Sequence, residues 1–233
     1  MTGKLYMIPV PMAEDALHTI PASVQQQSIQ LQHFFVENIR TARRYLKSID
    51  KAVNIDGIEF SEINTQTAPD LNLLVKWLKA GHSVGVMSEA GCPGMADPGS
   101  ALAAKAHEIG ASVIPLTGPS SLLLALMASG FNGQGFRFAG YLPVKEPLRS
   151  KTIKELEQLS ATRNETQIFI ETPYRNNQLL QELLKHCKHS TRICIARDIT
   201  GKDELIKTAR VEDWKKNLAE LHKFPVVFLM MAQ

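Results

Sequence analysis

Short runs of β-branched and aromatic residues alternate with amphipathic stretches from one end of this chain to the other, which narrows its fold more than any other pattern in it. Strands separated by helix-length segments do not pair as simple hairpins. They lie side by side in parallel, with helices packed on the faces of the sheet. The fold class expected is therefore α/β. In the first half, strands are expected at Leu5 to Val10, His33 to Val36, Ile58 to Ile63, Val84 to Met87 and Val113 to Leu116. Leu71, Leu74, Val75 and Leu78 stand at helical spacing between two of these, and Gly81 follows as the stop.

In the second half, strands are expected near Phe136 to Ala139, Gln167 to Glu171, Ile193 to Ala196, Leu205 to Ala209 and Val226 to Met230. Arg197 to Asp203 reads as a tight, hairpin-like connection and Val211 to Leu221 as an amphipathic segment, so this sheet is expected to be mixed and the first mainly parallel. Between the halves, Pro115-Leu116-Thr117-Gly118-Pro119-Ser120-Ser121 takes a strand through Gly-Pro into an apolar helix. The boundary between two α/β domains, 1–117 and 118–233, is placed there.

With 233 residues, 44% of them hydrophobic, the chain can bury an ordinary globular core. Its formal charge of +3 is too small to announce a nucleic-acid binder, although a local basic face remains open. Cys92, Cys187 and Cys194 form neither a disulfide framework nor a metal-ligand spacing, so no metal is expected, and the pattern fits a reducing compartment. The stretch from Met1 to Pro9 is too short and too soon closed by proline for a signal peptide. Leu122 to Ala128 and Val226 to Ala232 fall well below the roughly 20 apolar residues that span a bilayer. A cytoplasmic protein is the expectation.

The segment richest in chemistry is Ser88-Glu89-Ala90-Gly91-Cys92-Pro93-Gly94-Met95-Ala96-Asp97-Pro98-Gly99-Ser100, between the strand Val84 to Met87 and a helix expected over Ala101 to Ile109. Open α/β sheets place ligands at the carboxyl ends of parallel strands, where glycines let backbone approach a small molecule. The plainer alternative is a strand-to-helix turn with Asp97 as helix cap. The glycine spacing is not that of a dinucleotide fingerprint, and no Gly-Lys-Ser/Thr triplet marks a P-loop.

Taken with Thr117-Gly118-Pro119-Ser120-Ser121, Phe138-Ala139-Gly140-Tyr141-Leu142-Pro143 and Phe169-Ile170-Glu171-Thr172-Pro173-Tyr174-Arg175, this segment resembles the tetrapyrrole methylases. The branch it is most similar to methylates the ribose 2'-hydroxyl of a cytidine in small-subunit ribosomal RNA. The resemblance runs from Gly81 nearly to the C-terminus. It implies an S-adenosylmethionine-dependent methyltransferase, usually a homodimer, with the cofactor in a cleft between two domains. Carried onto this chain, it implies cofactor contacts from Ser88, Glu89, Ala90, Gly91, Met95, Ala96, Asp97 and Pro98. It adds Ser120 and Ser121 at the interdomain turn, Thr172 and Ala209 toward the adenine, and Pro11 and Met12 after the first strand. For single residues plainer roles stand beside these: Ser120 as a helix N-cap, Ala209 as strand packing.

The N-terminal third departs from that branch. Its Pro-Ile-Gly-Asn-Leu-Glu-Asp-like loop is replaced by the shorter Pro11-Met12-Ala13-Glu14-Asp15, and its Glu-Asp-Thr-Arg-like run by Glu37-Asn38-Ile39-Arg40. Methyl transfer to a hydroxyl requires an oxygen held in line and relieved of its proton. Asn38 cannot act as a base; Glu37 can, or it can pair with Arg40 or Arg43 along a helix. Arg40, Arg43, Arg44 and Lys47 share one segment and could meet phosphates or form a solvated face. Tyr174 and Arg175 could engage a nucleotide or simply begin the next helix. An RNA acceptor is the leading expectation. A small molecule such as a tetrapyrrole is the second, weakened by the missing Gly-x-Gly-Pro-Gly-Asp signature; a cofactor-binding protein without catalysis is the third.

Overall fold

The computed structural model describes residues 2–64 and 66–233, which divide into two compact units, Met1–Ser120 and Ser121–Gln233. In the first unit the order is β1 (Leu5–Met7), α1 (Ala22–Ile29), β2 (His33–Val36), α2 (Ile39–Ile49), β3 (Glu59–Glu62), α3 (Leu71–Lys79), β4 (Val84–Met87), α4 (Ser100–Glu108) and β5 (Val113–Pro115). Among the described residues the sheet runs β3-β2-β4-β1-β5, and each pairing is parallel. The central strands β2 and β4 are buried throughout, as strands covered on both faces must be.

Alternation along β2 sorts its side chains. Phe35 joins Val84, Val86, Trp77 and Leu102 on the face covered by α3 and α4, while Phe34 and Val36 pack with Val24, Ala42 and Leu46 of α1 and α2 on the other. The result is a three-layer unit whose strand ends all deliver loops to one edge. The first strand is shorter than expected because its pairing with β4 and β5 covers only Leu5 to Met7; Val10 instead makes an isolated antiparallel bridge to Gly91.

The second unit continues with α5 (Ser121–Ser129), β6 (Phe136–Tyr141), α6 (Leu148–Arg163), β7 (Thr166–Ile170), α7 (Asn176–His186), β8 (Arg192–Arg197), β9 (Leu205–Arg210), α8 (Val211–Trp214) and β10 (Val226–Met231). Its sheet, β6-β7-β10-β8-β9, is mixed: β6 and β7 are parallel and the remaining pairs antiparallel. Phe169, Ile195 and Phe228 build the core with Ile153, Leu179, Leu183 and Trp214 from the helices. The expected amphipathic stretch Val211 to Leu221 is helical only to Trp214. Trp214 is buried and its indole N–H donates to Ile193 O at 3.0 Å, which anchors a single turn rather than a longer helix.

Among the described residues, no helix is long and apolar enough to cross a membrane.

Candidate functional site

The carboxyl ends of β1, β2 and β4 converge through hydrogen bonds their loops make with one another. Val10 and Gly91 exchange both backbone bonds, at 2.9 and 3.1 Å, which ties the loop after β1 to the loop after β4. Glu37, at the end of β2, donates its N–H to Met87 O at 3.1 Å and accepts from Glu89 N–H through Oε2 at 3.0 Å. Cys92 Sγ donates to Pro119 O at 3.3 Å, drawing in the loop after β5. Three of the carboxylate-bearing positions of this edge, Glu37, Glu89 and Asp97, are thereby held close together.

The path of the β4 loop depends on left-handed residues. Gly91, Gly94 and Gly99 have φ of 70°, 81° and 136°, and Ala96 adopts 65° despite its Cβ. A Cβ at Gly99 would approach Gly94 N and Met7 Cε at 3.2 Å, whereas one at Gly91 would make only ordinary contacts with Pro119 O and Met12; at Gly91 the conformation itself demands glycine. Ala96 thereby carries strain of the order of 1–2 kcal/mol beside the carboxylates. Gly94 N–H donates to Pro98 O at 3.0 Å and closes the turn. The helix that follows is capped by Gly99, so Asp97 is not its cap.

Asp97 is released from capping into an electrostatically costly setting. Burial, then the neighbouring charges of Glu37 and Glu89, push its carboxyl up to about 6, with a hydrogen bond from Ser88 opposing them. Ser88 is buried, and its one hydroxyl proton is shared between Asp97 and Ala90 O, which lies 3.1 Å from Oγ. Met95 is 45% exposed, and Ala90 and Ala96 are exposed, so backbone and side chains of the loop are accessible to a ligand.

Beside this cluster lies a cleft of about 740 Å³, lined by residues 10 to 17, by Thr41, Ala42, Arg44, Tyr45 and Ser48 of α2, and by Ser88 and Glu89. Pro11 and Met12, expected at the cofactor, line it. Glu14, Asp15, Thr41, Tyr45 and Ser48 had no role in the sequence reading; the spacing 41, 44, 45, 48 along one helix face is the signal that marks them.

Asn38 has a structural role that the sequence reading did not assign. Its Oδ1 accepts from Arg40 N–H at 2.9 Å and Thr41 N–H at 3.3 Å, capping α2. Glu37, engaged with Glu89, forms no ion pair with Arg40 or Arg43 among the described residues, which corrects that alternative. Arg40 and Arg44 are exposed on α2, and Arg43 lies over the Phe60 ring at 5.6 Å.

Ser120 is 9% exposed and ends the first unit; Ser121 opens α5 in the second. In the second unit Ala209 packs against the core from β9, so strand packing is satisfied there. Thr172 N–H donates to Glu171 Oε1 at 2.7 Å, and the same oxygen accepts from Arg175 Nη2 at 2.7 Å. Arg149, 1% exposed, reaches Glu171 Oε2 at 3.4 Å. Burial acts to raise the Glu171 carboxyl, but the hydrogen bonds from Arg175 and Thr172 and the two guanidinium charges outweigh it and hold it low. Arg175 is the N-cap residue of α7 and Tyr174 is 72% exposed. Among the described residues, Glu146, Glu182 and His186 could hold a metal, their ligand atoms lying within 4.8 Å of one another. His186 Nε2 already stands 3.0 Å from Glu182 and 3.7 Å from Glu146.

Comparison with known proteins fits this geometry. The chain is similar to ribosomal RNA small subunit methyltransferase I of Vibrio cholerae, 30% identical over 87% of this chain and 67% of that protein. It is also similar to the protein of the same name from Escherichia coli O157:H7, 29% identical over 98% of this chain and 77% of that one. The chain thus spans about two thirds to three quarters of their length. Among solved structures it is similar to the methyltransferase CobJ, with a TM-score of 0.64 at 17% identity over 99% of this chain and 95% of that one, a likeness of fold. The sequence pattern of the tetrapyrrole (corrin/porphyrin) methylases matches residues 32–215, most of both units, and with it the chain belongs to the tetrapyrrole methylase family of methyltransferases.

Proposed function

We propose that the chain transfers a methyl group from S-adenosylmethionine to a ribose 2'-hydroxyl of ribosomal RNA. The observation that carries the cofactor half is the crowding of Glu37, at the end of β2, against Glu89 and Asp97 of the left-handed β4 loop. A carboxyl pushed up to about 6, first by burial and then by the neighbouring charges of Glu37 and Glu89, favours a cationic ligand, and S-adenosylmethionine carries a sulfonium and an ammonium. Backbone from Gly91 to Pro98, with Met12 and Pro11 on the loop tied to it through Val10, is the proposed seat of the polar end of such a ligand. When bound, the cofactor supplies an electrophilic methyl carbon. Glu37, pinned through Glu89 N–H, is the group assigned to accept the hydroxyl proton. Ser88 steadies Asp97, and Ser120 is a further proposed cofactor contact of the first unit.

The RNA half is supported by two relatives that carry the name of a ribosomal RNA methyltransferase and by exposed Arg40, Arg43 and Arg44 on α2, with Tyr174 and Arg175 as further proposed contacts. Leu123 and Met127, 46% and 79% exposed one turn apart on α5, support a homodimer. The unpaired thiols of all three cysteines support action in the cytoplasm. Tritiated S-adenosylmethionine incubated with the protein and small ribosomal subunits from a deletion strain tests the reading. Label on a ribose oxygen is expected; label found solely in a small-molecule extract would overturn the RNA assignment.

A further inference from the structure

Away from the edge that carries Asp97, three side chains of the second unit that can ligate a metal come together from two separate elements. Glu182 and His186 stand four residues apart on α7, so both lie on one face of the helix. Glu146 reaches them from the connection between β6 and α6, where its Oε2 accepts from Ser150 N–H at 3.3 Å. Its other oxygen, Oε1, lies 3.7 Å from His186 Nε2, and Glu182 Oε2 lies 3.0 Å from the same nitrogen. The two carboxylates also come within hydrogen-bonding reach of each other. One donor atom from each side chain thus lies within 4.8 Å of the other two.

This spacing is that of a coordination shell. Bonds of roughly 2.0–2.1 Å to nitrogen and oxygen in a tetrahedron set neighbouring donors about 3.3 Å apart, and the separations of 3.0 and 3.7 Å lie on either side of that value. Charge points the same way. Among the described residues, His186 is the positive group that acts on Glu146. A protonated imidazole offers one positive charge to two carboxylates, whereas a divalent ion held by a neutral imidazole balances both. His186 is also the last residue of α7, where the carbonyl end of the helix favours a cation. Lys185, the other basic residue of that turn, lines a groove with Lys215 instead. An imidazole ligand selects against magnesium and calcium, which take oxygen, and toward zinc and its neighbours among the transition metals. The side chain of Glu146 is 49% exposed, against 21% for Glu182 and 16% for His186, so one side of the cluster is open to an ion and to the water that completes four-coordination.

We propose that Glu146, Glu182 and His186 bind a divalent transition-metal ion of the zinc type, which fastens the connection between β6 and α6 to the last turn of α7. Its role is structural, and the site stands or falls independently of the methyl transfer proposed above. The cysteine spacing carries no sign of it because none of the three ligands is a thiol, and Glu146 meets α7 only through the fold.

The test uses the full chain, purified without a histidine tag and stripped by a chelator that is then removed. Zinc chloride is titrated by calorimetry and cobalt(II) by visible absorption. The wild type is expected to take one zinc per chain with micromolar affinity and to melt higher with zinc than without it. Cobalt(II) is expected to give the d–d absorption of a four-coordinate site without a thiolate charge-transfer band, which separates this triad from a site at the partly buried Cys92. Glu182→Gln, His186→Gln and Glu146→Gln are each expected to weaken zinc binding at least about tenfold and to abolish the rise in Tm. Urea unfolding without zinc reports that the variants fold, and Glu146→Gln, at the most exposed of the three positions, keeps the side chain's shape. Three results would each overturn the metal site: a thiolate band, zinc bound equally by wild type and the folded variants, or no uptake by the wild type at about 100 µM zinc. The last would leave His186 paired with its carboxylates through a proton alone.

Discussion

Two loops follow buried strands in the two units, and they treat charge in opposite ways. The loop after β7 gathers one buried carboxylate, Glu171, between two guanidiniums and a backbone N–H, so its carboxyl is held low. The loop after β4 gathers Asp97, Glu37 and Glu89 and leaves Asp97 raised to about 6. The first arrangement pairs its carboxylate from within the chain. The second leaves three carboxylates crowded together, the kind of charge conflict on which the proposed cofactor site rests.

Breaking the satisfied loop is expected to have the largest effect. Glu171→Ala leaves Arg149 buried without its carboxylate and is expected to cost about 3–5 kcal/mol of stability in urea unfolding. A loss below about 1 kcal/mol would mean that the network does not hold the β7 loop.

A smaller effect is expected beside the other loop. Replacing Arg40, Arg43 and Arg44 together by alanine should weaken RNA binding about tenfold and flatten its salt dependence, since each lost phosphate contact removes roughly 0.7–0.9 from the slope of log K against log salt. Cofactor affinity should hardly change. Equal slopes for wild type and variant would make α2 a solvated face.

The smallest effect has an opposite sign to the Glu171 result. The folded protein holds a proton on Asp97 up to about pH 6, the unfolded chain only to 3.8. The contribution of Asp97 to stability is therefore full below pH 3.8 and lost as pH rises through about 6. Asp97→Asn, without cofactor, should melt higher than the wild type at pH 7.5, and that advantage should shrink as pH falls toward 4. Equal melting at both pH values would remove the charge conflict from the account.

The strands of both units were legible because β-branched and aromatic runs of fixed period leave few alternatives, and β2 and β4 coincide with the expected ranges. The pairing limits were not: Leu5 to Val10 contains a strand and a bridge to a different loop, a distinction made by tertiary partners at Gly91. Val211 to Leu221 carried helical periodicity, yet Trp214 fixes one turn to the sheet and the helix ends there. The glycine-rich loop could be read from composition and resemblance, whereas its charge conflict could not, because Glu37 and Asp97 lie far apart in the chain and meet only when β2 and β4 pair. The same holds for Glu14, which reaches the cleft from a loop with an altered sequence.

The central claim is that the β4 loop holds the methyl donor, and isothermal titration of S-adenosylhomocysteine into the wild type and Gly91→Val tests it most directly. Gly91 has φ 70°, a conformation β-branched valine does not share, and its backbone bridges to Val10 at the heart of the loop. One molecule bound per subunit of wild type is expected, with at least about tenfold weaker binding to a Gly91→Val variant whose circular dichroism shows it folded. Equal affinity in the folded variant would contradict the claim and move the cofactor away from this loop.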